Sequence, residues 1–235
     1  MALRRKEKRT ERSKLDATPP WEIRRPQESR PTTGPYDIAD DPADELERLD
    51  LGALRVPVES SLEIRVEVGE NGQVAGVTLL NADGQMQLGV FAAPRNEGIW
   101  DEVRAEIKAS ISSQGGTVSE QDGEFGSELS GRLPVSGGFT PVRFLGVDGP
   151  RWFLRAMLAG APAVQDEDAT AFLNTFRNLV VVRGADPLPV REPVPLQLPR
   201  EAAEQLAAAA EAEAELAAGG SPDWPPPVTD PQFGG

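Results

Sequence analysis

Histidine and cysteine are absent from this chain of 235 residues, and tyrosine occurs once. Without them no disulfide, thiolate nucleophile, imidazole base or soft-ligand zinc site can be built. A serine hydrolase triad falls with the histidine. Carboxylate-only catalysis and an oxygen site for a hard metal survive. No apolar run reaches the ~18–20 residues of a membrane span. The start, "MALRRKEKRTERSK", has no apolar stretch of the kind a secretory signal carries, and lipidation at cysteine is impossible, so the expected compartment is the cytosol. Lysine is scarce too: 4 of the 24 basic residues, with Lys108 alone beyond residue 14. It follows Ile107 on a helical pattern whose apolar face holds Ile107. Lys108 therefore points to solvent, not into an apolar pocket that would depress its pKa.

What is present describes one folded body with tails. Hydrophobic residues make up 39%, enough for one core and lean for two. Gly 23 and Pro 22 are high for a compact fold, so part of the length is expected in tail or linker. The excess of Arg over Lys, beside much Ala, Gly and Pro, reads as codon bias and not as phosphate recognition. The net charge is −14, and an acidic body argues against general nucleic-acid binding. The exception is the N-terminal arm, where Arg4, Arg5, Lys6, Lys8, Arg9, Arg12 and Lys14 face two glutamates. That arm could meet nucleic acid or anionic lipid, although a run of this kind is usually a solvated tail.

Residues 1–33 lack periodicity and are expected to be a disordered basic, Pro-containing tail, with Trp21 and Ile23 as stray anchors. Residues 34–184 carry the signals of a single α+β domain. "LEIRVEV" and "QVAGVTLL" flank "GENG", and the second runs through "NADG" into "QMQLGVFAA". Later, β-patterned runs flank Asp122-Gly123 and Asp148-Gly149. Asn-Gly and Asp-Gly supply the positive φ of a tight hairpin turn, so a mostly antiparallel sheet of consecutive hairpins is predicted. Two helices interrupt it. Trp100, Val103, Ile107 and Ile111 share one helical face before Gly115-Gly116. Ala169, Phe172, Leu173 and Phe176 share another, behind the acidic first turn Asp166, Glu167 and Asp168. "LVVV" is apolar at every position and predicts a strand covered on both faces, in a sheet with helices on both sides. Residues 185–199 cannot form helix or central strand because of their prolines, and are predicted as an extended arm across the domain. An Ala/Glu-rich helix is expected over 200–218 and a disordered Pro/Gly-rich tail over 219–235.

The stretch "FLGVDGPRWFLRAMLAG" (144–160) poses the sharpest question, because Arg151 and Arg155 sit in an apolar run with Arg143 just before it. A two-residue turn at Asp148-Gly149 would set Leu145 opposite Trp152, Arg143 opposite Leu154, Phe144 opposite Phe153 and Val142 opposite Arg155. Arg143 then projects from the Trp152/Leu154 face, and Arg151 and Arg155 from the Phe144/Phe153/Met157 face. The three do not converge into an anion clamp and are expected to snorkel at the sheet rims and pair with carboxylates.

Other motifs fail on their context. "SGRLPVSGGF" has the glycines of a phosphate loop but neither Lys-Ser/Thr nor a strand-to-helix setting. "DIADDPADE" lacks the ligand spacing of a calcium loop, and its Asp37 and Asp41 suit caps and turns instead. No catalytic, cofactor-binding or metal-ligating residue is therefore assigned, and no cofactor is expected.

Several stretches together, "GPYD", "RLDLGALRVP", "GVFAAPRNEGIWDEVRAEI", "FLGVDGPRWFLRAMLAGAPA" and "FRNLVVVRG", resemble an actinobacterial family of uncharacterised cytosolic proteins, a domain of unknown function. The resemblance covers roughly residues 34 to 184 and implies no site residues. The order of strands and helices is also similar to PsbP-like α/β/α sandwiches, which implies an antiparallel sheet with helices on both faces and, by analogy, a non-enzymatic binder or assembly factor. The expectation is thus a non-catalytic cytosolic accessory protein whose partner is another protein. The alternative is a carboxylate-dependent enzyme or small-molecule binder using a pocket between sheet and helix.

Overall fold

The computed structural model describes residues 34–69, 74–95, 97–199, 202–205 and 208. The basic arm, Trp21, Ile23, the "DWPPPV" segment and most of the 200–218 helix expectation lie outside these residues. In chain order the first elements are β1 (Tyr36–Asp37), β2 (Arg48–Asp50), β3 (Leu54–Pro57), β4 (Glu63–Val68), β5 (Val74–Leu80), β6 (Gly84–Ala92) and α1 (Trp100–Ser113). There follow β7 (Thr117–Gly123), β8 (Gly126–Val135), β9 (Gly138–Gly149), β10 (Trp152–Gly160), α2 (Asp166–Arg177) and β11 (Val180–Val181). The fold is α+β, as the hairpin signals predict.

A seven-stranded sheet in the order β4-β5-β6-β10-β9-β8-β7 forms the centre, antiparallel at every pairing. Alternation of side chains gives it two apolar faces. On one, Leu88, Val90, Leu145, Trp152, Leu154 and Leu158 pack with Phe172 and Phe176 of α2 and with Leu54, Val56 and Val181. On the other, Phe144 and Phe153 pack with Trp100 and Ile111 of α1. α1 lies along β7, β8 and β9, while α2 and a small second sheet cover the opposite face of the central strands.

The turns differ from the sequence expectation in a consistent way. β9 and β10 pair with Trp152 opposite Gly149, Leu154 opposite Val147, Ala156 opposite Leu145, Met157 opposite Phe144, Leu158 opposite Arg143 and Ala159 opposite Val142. The two-residue loop is therefore Pro150-Arg151, and Asp148-Gly149 ends the strand. The same displacement occurs at β7–β8, where Gly123 opposes Gly126 and the loop is Glu124-Phe125. Each loop moves by two residues, an even number, so the side chains that stay in the strands keep their predicted faces, while Arg151 leaves its predicted strand position for the turn. The cause at β9 is that Asp148 and Gly149 have other duties. Asp148 accepts hydrogen bonds from the Ile99 and Trp100 amides at 2.8 and 3.2 Å, capping α1 from a neighbouring strand. Gly149 lies under the Trp152 ring, where a Cβ would overlap it. Pro150 then starts the turn and Arg151 takes φ 64° at its second position, the type II arrangement.

"LVVV" also lands elsewhere. Only Val180 and Val181 are strand, and they belong to the second sheet, ordered β1-β11-β3-β2. Leu179, Val180 and Val181 are fully buried there, so burial on both faces arises without membership of the large sheet. Residues 191–196 run along the part of β6 that β5 leaves unpaired. The Val194 amide donates to Val90 O at 2.9 Å, Ala92 and Glu192 exchange a bond of 2.8 Å, and Leu196 bridges both Gly52 and Val74. Arg191 fastens this segment to α1 through Glu102 and Glu106 at 2.8 and 2.6 Å.

Trp152 is 1% exposed, and its indole N–H donates to Asp37 at 2.7 Å. It therefore joins the large sheet to the start of the small one. Trp152→Ala is expected to cost ~3–5 kcal/mol in chemical denaturation, the range for removing a large buried aromatic. A loss under about 1 kcal/mol would place the ring outside the cooperative core.

Candidate functional site

α1 covers β7–β9 on one face, and on the other the α2-side core buries Leu145 and Val147 of β9, so the face beyond them, toward β7 and the start of β9, is open. It forms the floor of a cleft of about 530 Å³, walled by Ala163, Val164 and Asp166 where the chain enters α2. Thr117, Ser119 and Gln121 of β7, Ser130 and Arg132 of β8, and Pro141 and Arg143 of β9 point into it. Ser119 opposes Ser130, and Ser130 opposes Arg143, so one polar row crosses three strands.

Arg143 organises the row. It is 8% exposed and makes two bonds to Glu128, Nε to Oε2 at 2.5 Å and Nη2 to Oε1 at 3.3 Å. Glu128 is 1% exposed, and its carboxylate lies where any Cβ on Gly123 would have to sit. The third contact of Arg143, Nη1 to Asp166 at 2.9 Å, reaches a carboxylate that is 88% exposed. Burial works against the charge on Arg143, but Glu128 and Asp166 more than offset it and hold the pKa above its ordinary value. The arrangement carries one cation between two anions and offers hydroxyl and amide groups around them. Both carboxylates are committed to the guanidinium, so neither is presented as a free base or nucleophile.

The residues singled out in the sequence separate accordingly. Arg143 does pair with carboxylates, yet it is buried beneath the cleft and does not snorkel at a rim. Arg151 donates to the Gly184 carbonyl at 2.7 Å. Arg155 lies on the other face over the Phe91 ring at 5.2 Å, where burial lowers its pKa. The three arginines thus form no common clamp. Lys108 bridges Glu120 at 3.1 Å on the surface. The acidic stretch after Tyr36 is taken up locally: Asp37 caps a short turn at Ala39, Asp41 pairs with Arg55 and Asp44 with Arg48. "SGRLPVSGGF" is the β8–β9 hairpin. Among the described residues no three acidic side chains are placed to hold a metal ion, and no helix is long and apolar enough to cross a membrane. Glu128 carries no signal in the sequence, since a glutamate in an alternating strand reads as solvent-facing.

A family model described as a protein of unknown function (DUF3710) matches residues 34–205. The chain belongs to this family. The DUF3710 region takes in the whole sheet, both helices and the 191–196 segment described above. No curated protein matches the chain. Among solved structures, the chain is similar to cyanobacterial PsbP (CyanoP) from Synechocystis sp. PCC 6803, at 13% identity and a TM-score of 0.39. That match covers 58% of this chain and 92% of CyanoP.

Removing Arg143 would leave Glu128 buried and uncompensated. Arg143→Ala is expected to destabilise the fold by ~3–5 kcal/mol, whereas Asp166→Ala, which removes the exposed partner, should cost under about 1 kcal/mol. The double variant Glu128→Leu/Arg143→Met should recover most of the Arg143→Ala loss. Equal losses for Arg143→Ala and Asp166→Ala in urea unfolding would contradict this division.

Proposed function

We propose that the protein is a non-catalytic cytosolic binding protein that takes an extended segment of another protein along β7. The supporting observation is the coincidence of a free strand edge with a polar cleft. Among the described residues β7 is the last strand of the large sheet and pairs only with β8 in it. A two-residue hairpin loop closes on a hydrogen-bonded pair, here Gly123 and Gly126. Counting back from it, Val118, Glu120 and Asp122 turn their amides and carbonyls away from β8 toward the open edge. The intervening Thr117, Ser119 and Gln121 line the cleft. A strand added there gains main-chain bonds from the edge and selectivity from the cleft, the usual division in β-augmentation.

Charge defines the partner further. On the α1 side of the edge stand Asp122 and Glu120, the latter bridged to Lys108, so residues of the incoming strand beside Asp122 fit best if basic. On the cleft side, hydroxyls, Gln121 and the neutralised Arg143 cluster favour polar side chains. The commitment of Glu128 and Asp166 to Arg143 favours binding over carboxylate catalysis. A chain without histidine or cysteine points the same way.

Selection from a displayed library of extended peptides, using the full chain, tests this. Enriched peptides should carry Lys or Arg at alternate positions and slow hydrogen exchange at Val118, Glu120 and Asp122. Glu120→Pro removes one outward amide while leaving the β8 ladder intact, and should abolish that binding. Selected peptides whose binding is unchanged by Glu120→Pro would overturn the proposal.

A further inference from the structure

The opposite edge of the large sheet, β4, carries a different code. Glu63, Arg65 and Glu67 project from one face and Ile64, Val66 and Val68 from the other, with Ile64 and Val66 packed against the main core. Among the described residues β4 pairs with β5 alone in the sheet. The irregularity between Glu67 and Val68 places the extra residue on β5, because Glu67 opposes Gly76 and Val68 opposes Val74. β4 itself therefore runs straight. Val68 is 41% exposed, an apolar side chain at the end of an otherwise packed row. Among the described residues the ion pair of Arg65 is with Glu63, two residues back on the same exposed strand, and Glu67 has none.

We infer that β4 pairs antiparallel with β4 of a second copy of this chain, with Val66 on the two-fold axis. That register sets Arg65 opposite the partner's Glu67 twice and Ile64 opposite the partner's Val68 twice. Side chains alternate, so only shifts by two residues keep the apolar row on the core side. Centring on Arg65 would put Arg65 on Arg65 and Glu63 on Glu67, like charge on like charge. Centring on Glu67 would oppose the two Glu67 side chains. Centring on Ile64 pairs Glu63 with Arg65 but leaves three residues of β4 in the ladder where the Val66 register keeps five. The strand is thus self-complementary about Val66 in charge, apolar content and length, which is the requirement of an isologous contact. The contact is small beside a standard interface, and each chain carries a net charge of −14, so the dimer is a weak one that needs physiological salt. This inference is independent of the β7 edge, which the dimer leaves open.

Sedimentation equilibrium of the full chain in physiological salt, from about 1 µM to about 500 µM, tests it over the affinity range of a small interface. The mass should climb toward twice the monomer. Arg65→Glu and Glu67→Arg should each hold the chain monomeric, and both sites are exposed enough that thermal unfolding should be unchanged. Arg65→Glu/Glu67→Arg should restore the dimer, because the pair is merely exchanged across the axis. A monomer at every concentration, dimerisation unaffected by Arg65→Glu, or rescue by Glu63→Arg in place of Glu67→Arg would each overturn the assignment.

Discussion

Two tryptophans lie flat against opposite faces of β9, and the strand accepts them because Gly146 and Gly149 have no side chains. Trp100, the first residue of α1, covers Gly146, where a Cβ would run into its ring. Trp152, the first residue of β10, covers Gly149 from the other side. Asp148, between them, holds the start of α1 through two amides. Trp100 also stacks on Phe153, with centroids 5.6 Å apart, and donates to Ser127 O at 2.7 Å. Three residues of one strand therefore fix a helix, a hairpin and, through the Trp152–Asp37 bond, the second sheet. Burial pushes the Asp148 pKa up, while the amides of Ile99 and Trp100 oppose that rise. The cap sits where it is largely shielded from water.

This anchoring decides what remains available. α1 starts over β9 and Phe153 of β10 and runs across β7 and β8, so the same face is exposed farther along, at Glu63, Arg65 and Glu67 of β4. α2 and the small sheet cover the central strands from the opposite side as far as Leu145 and Val147 of β9, leaving that face open toward β7 as the polar cleft. The two edges then differ in chemistry because the strands differ. β7 presents Glu120 and Asp122, whereas β4 alternates Glu-Arg-Glu. The Arg143 cluster ties the floor of the cleft to Asp166 at the entry to α2.

Periodicity and turn chemistry make much of this fold legible in the sequence. The helical rows of Trp100 and Phe172, the β alternation and the Asp-Gly dipeptides identify the helices and an antiparallel sheet. The faces of Arg143 and Arg155 also follow, because parity survives an even slip of register. The turn positions do not follow, since a dipeptide pattern cannot show that Asp148 is needed as a cap for a helix 48 residues away. Nor does "LVVV" reveal its sheet, because apolarity reports burial and not strand neighbours. The cleft is the least legible feature. Glu128 and Ser130 look like ordinary solvent-facing positions, and their meaning depends on α1 lying on the other side of the sheet.

The seat of α1 on β9 depends on the absence of a side chain at Gly146. The most direct test compares chemical denaturation of Gly146→Ala with Gly138→Ala, a site on the same strand where a Cβ would meet nothing within 4 Å. Overpacking beneath Trp100 should cost Gly146→Ala ~1–3 kcal/mol. Gly138→Ala should stay within about 0.5 kcal/mol of the parent chain. If Gly146→Ala is as stable as Gly138→Ala, Trp100 does not seat on β9 and the anchoring of α1 described here is wrong.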